Sequence, residues 1–131
     1  MSNELLALMK RFRVAYAKGD AEVLKAVTTD DFEWHQHFAL GPDDQPTGHV
    51  VYGIDQLLEV LQWRAIHWSD VAYADLEERA AGDDLLVQTF HISGKEDGQP
   101  FNARAVDLYP VIDGRIARKD TYWKYQPLGS Q

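Results

Sequence analysis

The residues able to do acid–base chemistry gather late in the chain. Asp107 lies in the run Phe101–Ile112, where Ala103, Ala105 and Tyr109 share its strand parity, so a carboxyl group beside small apolar neighbours is expected on one face. Apolar surroundings disfavour the charged form of an acid and make it a proton donor. The alternative is a structural carboxylate, held by an internal Lys or Arg or by backbone amides, because a buried acid needs a partner. In the next run Lys119, Thr121 and Trp123 alternate with Arg118, Asp120 and Tyr122. With the first set inward, Lys119 either holds a ligand carboxylate or enolate or snorkels at the sheet rim. Gln36 and Gln88, on the inward parity of two other runs, can fix a ligand carbonyl or a water, or bond each other and the backbone. Trp34, Trp68, Tyr109 and Trp123 supply aromatic wall and core, which suits a planar or cyclic ligand.

Other chemistries find less support. Glu33, His35 and His37 share one face of their run, and alternating histidines chelate a divalent metal when a further ligand, for which His91 is the candidate, converges from a neighbouring strand. Their parity opposes Phe32, Trp34 and Phe38, so they should face outward, and no metal site is expected. The chain has no cysteine, which removes disulfides and thiol chemistry. Phosphate loops, dinucleotide fingerprints and nucleophile elbows are missing from the sequence. What is left is proton transfer without a cofactor.

Elements able to position these groups can be read from hydrophobic period. Leu5, Met9, Phe12 and Tyr16, with Leu8 and Ala15, recur at helical steps and predict a helix over Asn3–Lys18. Gly19 ends it and Asp20 caps a short second helix with Val23, Leu24 and Val27 on its apolar side. A half-buried strand is expected over Asp31–Phe38, with Gln36 the one polar residue facing inward. Ala39–Tyr52 shows neither period and reads as a long loop, a candidate lid. Gly53 opens a third helix whose apolar face is Ile54, Leu57, Leu58, Leu61 and Ala65, ending in Trp63, His67 and Trp68. Strands are then expected over Val71–Ala80, Leu85–Ser93, Phe101–Ile112 and Arg115–Tyr125, joined by Ala81-Gly82-Asp83, by Gly94–Pro100 and by the tight-hairpin pair Asp113-Gly114. Helices first and antiparallel strands afterwards make an α+β domain.

At 131 residues, 45% apolar and 26% charged, the chain fits one globular domain. Its net charge of −8 repels phosphate backbones and anionic headgroups, so neither nucleic acid nor membrane is an expected partner. The N-terminus lacks the basic segment and apolar run of a secretory signal, and a cytoplasmic address is expected.

Taken in order, these pieces resemble the nuclear transport factor 2-like superfamily and, within it, the SnoaL-like or polyketide-cyclase-like group. The resemblance is carried by Gly19-Asp20 between two helices, by Thr29-Asp30-Asp31-Phe32-Glu33-Trp34 entering the first strand, and by Gly53 before an apolar helix. Val106-Asp107-Leu108-Tyr109 followed by Asp113-Gly114-Arg115-Ile116 completes it, over about residues 3–125. It implies a single SnoaL-like domain over residues 1–131: a cone-shaped α+β fold with three N-terminal helices packed on a strongly curved, mostly antiparallel sheet. It also implies a pocket at the open end of the cone and a homodimer through the outer sheet face.

Residue by residue, the resemblance narrows the chemistry. Ketosteroid-isomerase-like members carry a buried, protonated, oxyanion-binding Asp at the place of Asp107, but their Tyr and their carboxylate base fall here at Phe12 and Gln36, which argues against steroid-type isomerisation. The Arg and Asp of epoxide-hydrolase-like members fall at Phe90 and Ile92, which argues against epoxide hydrolysis. Dehydratase-like members use Tyr, His and a carboxylate, types that Tyr16, His67 and Asp107 supply. The family's hairpin phasing turns Lys119, Thr121 and Trp123 inward. The expected catalytic residues are therefore Asp107, Tyr16 and His67, and the expected substrate-binding residues are Trp34, Gln36, Gln88, Phe90, Tyr109, Lys119, Thr121 and Trp123. The expected function is a cofactor-independent isomerase, dehydratase or cyclase acting on a small cyclic or aromatic molecule. Its rival is a non-catalytic ligand-binding or dimerisation module, favoured by Phe12 and Gln36.

Overall fold

Helix α1 (Ser2–Lys18) forms where the apolar residues recur at helical steps, and Leu5, Leu8, Met9, Phe12 and Ala15 are buried along one stripe. The computed structural model describes residues 2–38 and 45–126. Gly19, at φ +66, ends α1 with the paired bonds of a left-handed C-terminal cap: its N–H donates to the Tyr16 carbonyl at 3.2 Å and that of Asp20 to the Ala15 carbonyl at 2.9 Å. The Asp20 side chain then accepts from Val23 N–H at 3.2 Å and starts α2 (Ala21–Val27). One residue thus closes a helix with its backbone and opens the next with its carboxylate.

The strands are β1 (Thr28–His37), β2 (His49–Tyr52), β3 (Trp68–Ala80), β4 (Leu85–Glu96), β5 (Gln99–Ile112) and β6 (Arg115–Tyr125), with α3 (Gly53–His67) between β2 and β3. They form one curved, open sheet in the order β2-β1-β6-β5-β4-β3. All neighbours pair antiparallel except β1 and β6, which run parallel. Register shifts bend the sheet in β3 between Ser69 and Ala72 and between Ala74 and Glu77, next to the positive φ of Asp70 and Asp75. The α+β architecture of three helices on a mostly antiparallel sheet is as expected.

Several boundaries differ from expectation. Within the loop expected over Ala39–Tyr52, His49–Tyr52 is strand β2, paired with Glu33–Gln36 of β1. Four residues are too few for a period to emerge from sequence. Residues 39–44, the heart of the candidate lid, lie outside the described residues. Trp68 begins β3 rather than ending α3, and β1 starts at Thr28 rather than Asp31. The turn sought in Gly94–Pro100 tightens to Asp97-Gly98, φ 50 and 83, the same two-residue geometry as Asp113-Gly114. Among the described residues, no helix is long and apolar enough to cross a membrane.

Candidate functional site

Alternation along β5 buries Ala103, Ala105, Asp107, Tyr109 and Val111. The antiparallel register sets Asp107 opposite Thr121, so Lys119, Thr121 and Trp123 share the inner face and are buried with it. Gln88, Phe90 and Ile92 of β4 lie beside them. With α1, α3 and the inner edge of β3, these residues enclose a cavity of about 850 Å³ whose lining includes Asp107, Tyr16, Trp34, Lys119 and Arg64.

A continuous chain of hydrogen bonds crosses this surface. Arg13 Nη1 donates to Glu78 at 3.1 Å, and Gln88 Nε2 donates to the other oxygen of the same carboxylate at 2.7 Å. The Tyr109 hydroxyl donates to Gln88 Oε1 at 3.0 Å and accepts from Lys119 Nζ at 2.9 Å. Lys119 Nζ also donates to Asp107 Oδ2 at 3.0 Å, Thr121 Oγ1 donates to Asp107 Oδ1, and Trp34 Nε1 donates to Thr121 Oγ1 at 2.8 Å. Asp107 is 0% exposed and Lys119 5%, so each charge depends on the other for compensation. The isolated neutral acid implied by the resemblance is thus replaced by an ion pair. The physical reason is register: Lys119 and Thr121 flank Asp107 across the hairpin, and a buried carboxylate meets the ammonium it needs.

Burial acts on this group in opposite senses. It lowers Lys119 from its ordinary 10.5, with the Asp107 charge resisting. It raises Tyr109 well above 10.0, and the Asp107 charge adds to the effect. It also raises Tyr16 above 10.0, with Arg64 opposing.

Arg64 was not among the expected residues. It leaves α3 on the face of Leu57 and Leu61, its Nη1 donates to the Tyr16 hydroxyl at 3.2 Å, and its Cζ lies 4.2 Å from the centre of the Trp68 ring and 5.1 Å from that of Trp34. The signal was present in the sequence, since a basic residue interrupts the apolar stripe Leu57-Leu61-Arg64-Trp68.

The cavity brings together Asp107, Tyr16, Trp34, Gln88, Phe90, Tyr109, Lys119, Thr121 and Trp123, which is most of the expected set. Two expected members stand outside it. His67, the expected catalytic histidine, is at the last turn of α3, stacked on Trp63 at 4.2 Å and bonded through Nδ1 to Asp97 at 2.7 Å. The β4–β5 turn also reaches the helix end there, with Asp97 N–H donating to the His67 carbonyl, and this holds the ring away from the cavity. Gln36 is buried at 9% on the inward parity, but it is one step past Trp34 and is not part of the lining.

On the opposite sheet face His35 and His37 meet Asp120, not His91, with ligand atoms within 4.8 Å of one another. Arg118 Nε already donates to Asp120 at 2.9 Å, and His35 Nε2 faces Glu33 at 2.8 Å. His91 instead bonds Asn102.

Residues 9–119 match the family described as the SnoaL-like domain. Comparison with curated proteins finds no match. Among solved structures, an NTF2-like protein from Burkholderia xenovorans superposes with TM-score 0.75 at 21% identity, over 95% of this chain and 92% of that one. A candidate SnoaL-like polyketide cyclase from Jannaschia sp. gives 0.71 at 16%, over 95% and 88%. A candidate isomerase from Bacillus subtilis gives 0.65 at 14%, over 93% and 87%. At these identities the likeness is one of fold.

The shifted phenols set an alkaline limit. Unfolded, Tyr16 and Tyr109 ionise near 10.0, whereas in the fold they hold their protons to higher pH. The stability they confer is complete below 10.0 and is lost as pH rises through their raised values. Lys119 acts oppositely, its penalty disappearing as pH climbs toward 10.5. Burial raises Tyr73 and Tyr125 as well, so above 10.5 four phenols remain against no amine, stability to urea should fall there, and in a near-ultraviolet titration part of the tyrosine signal should be delayed until the chain unfolds. All six tyrosines titrating together near 10.0 would contradict this.

Proposed function

Since the chain belongs to the SnoaL-like domain family, we propose that it takes a small cyclic or aromatic molecule into the cavity and moves a proton on it, as a cofactor-independent isomerase, dehydratase or cyclase. The observation behind this reading is that two proton donors, Tyr16 and Lys119, reach one apolar cavity. Tyr16 accepts from Arg64 through its oxygen, so its own proton is available to a ligand oxygen, and the adjacent guanidinium steadies the phenolate left behind. Lys119 carries three N–H groups, of which Asp107 and Tyr109 take two. The third serves an oxyanion. Asp107 holds this ammonium in place, and Thr121 fixes the carboxylate in turn. The names of the Jannaschia and Bacillus structures agree with such chemistry.

A second reading, a non-catalytic ligand-binding module, draws on one specific observation. Both oxygens of Asp107 are engaged by Lys119 and Thr121, and among the described residues no histidine lines the cavity, so the acid half of a proton transfer is better provided than the base half. The proposed assembly is a homodimer through the outer sheet face. There the cross-strand pair Val106 and Tyr122 is 37% and 43% exposed, an apolar patch that a second copy would cover. Sedimentation at the monomer mass at micromolar concentration would refute that assembly.

A ligand-observed NMR screen of small cyclic ketones, lactones and aromatic acids tests the function. For any compound that is turned over, Tyr16→Phe should lower kcat by about a hundredfold, with binding nearly unchanged. Turnover that survives Tyr16→Phe would refute the assignment, and binding without turnover by the wild-type protein would favour the binding module.

A further inference from the structure

The guanidinium of Arg64 is held but not neutralised. Its Cζ lies over the Trp68 ring at 4.2 Å and the Trp34 ring at 5.1 Å, contacts that engage the charge without consuming N–H donors. Of the five N–H donors of an arginine, the Tyr16 hydroxyl takes one at 3.2 Å. Among the described residues no carboxylate pairs with it. The other inner cations differ: Lys119 is paired with Asp107 at 3.0 Å and Arg13 with Glu78 at 3.1 Å. Arg64 and Lys119 flank the same Trp34 ring, at 5.1 and 5.3 Å from its centre, and Asp107, the one carboxylate among the described lining residues, is already paired with Lys119. Cancelling the Arg13–Glu78 pair, the cavity carries an excess of one positive charge, and Lys18 at its lining adds another. This is in a chain whose net charge is −8. A negatively charged protein thus sets a half-buried, unneutralised cation in the wall of an apolar cavity.

We propose that Arg64 is the recognition point for a carboxylate, so that the cavity takes a planar ring acid in its anionic form. The assignment rests on the reading above that the cavity accepts a small molecule, and it names the class of that molecule. A guanidinium edge matches a carboxylate in a two-point fork that an ammonium cannot offer. The two indoles hold that edge before the ligand arrives, so little side-chain freedom is lost on binding. Phe90 and Ile92 supply the apolar surface for the ring. Lys119 lies deeper, 5% exposed and already bonded twice, so it meets a reacting oxygen while Arg64 holds the carboxylate.

Naphthoate and naphthamide have nearly the same shape and differ in charge, and each is titrated calorimetrically into the wild-type protein, Arg64→Met and Arg64→Lys. The wild-type protein should bind the acid at least about tenfold more tightly than the amide. In Arg64→Met the acid should fall to the level of the amide while amide binding is retained, which also reports a folded cavity. Arg64→Lys, with charge but no fork, should retain part of the preference. Equal binding of both probes by the wild-type protein would overturn the carboxylate assignment and leave the cavity reading intact. A preference that survives in Arg64→Met would also overturn it, and would transfer the anion site to Lys119. Binding of neither probe by the wild-type protein would overturn the cavity reading, and this inference with it.

Discussion

Burying one lysine and one aspartate inside an apolar concavity constrains everything around them. Each ion would cost several kcal/mol to desolvate alone, and their attraction offsets that cost only if the remaining lone pairs and protons are also satisfied. This requirement fixes Tyr109 and Thr121 beside the Lys119–Asp107 pair. It carries outward to Trp34 on β1 and, through Gln88 and Glu78, to Arg13 on α1. A single polar chain therefore ties α1, β3, β4, β5, β6 and β1 to one arrangement. Its order is directional, since each hydroxyl in it both accepts and donates, and loss of Lys119 or Asp107 would leave buried polar atoms of its partners unpaired.

The same requirement shapes the electrostatics of the cavity. Asp107 compensates Lys119 and nothing among the described residues compensates Arg64, so the charge imbalance sits on α3 rather than on the sheet. The three indoles of Trp34, Trp68 and Trp123 lie 4.2 to 5.9 Å from the guanidinium carbon, and they hold the cation where water would otherwise have to solvate it. The family scaffold permits this arrangement without dictating it. A TM-score of 0.75 at 21% identity shows how far the backbone persists while the side chains inside it change.

Much of the scaffold was legible in the sequence because it is written in local chemistry. The Gly19-Asp20 pair, the helical stripe from Leu5 to Ala15 and the Asp113-Gly114 hairpin each act over a few residues. Strand parity groups Asp107 with Tyr109 and Lys119 with Thr121, and the hairpin phasing of the resembled family turns the second pair inward beside the first. Parity gives the face but not the neighbour, and the choice between neutral acid and ion pair turned on the β5–β6 register, which a bulge between Leu108 and Val111 modifies. The place of the His67 ring depends on the Asp97 turn 30 residues away, which no local pattern reports. Arg64 carries only a weak signal in the sequence, because a lone cation on a helix ordinarily faces water. The four residues of β2 have no period of their own and take strand form from pairing with β1.

Asp107 and Lys119 form a mutually dependent buried pair, and a double-mutant cycle in urea measures that dependence. Asp107→Asn and Lys119→Met should each destabilise the fold by about 3–5 kcal/mol, because each strands a charge. The double variant, with neither charge, should cost less than the two single changes together, by a coupling of at least about 2 kcal/mol. A nearly neutral Asp107→Asn together with an additive double variant would rule out the dependence, since that is how an isolated, uncharged acid would behave.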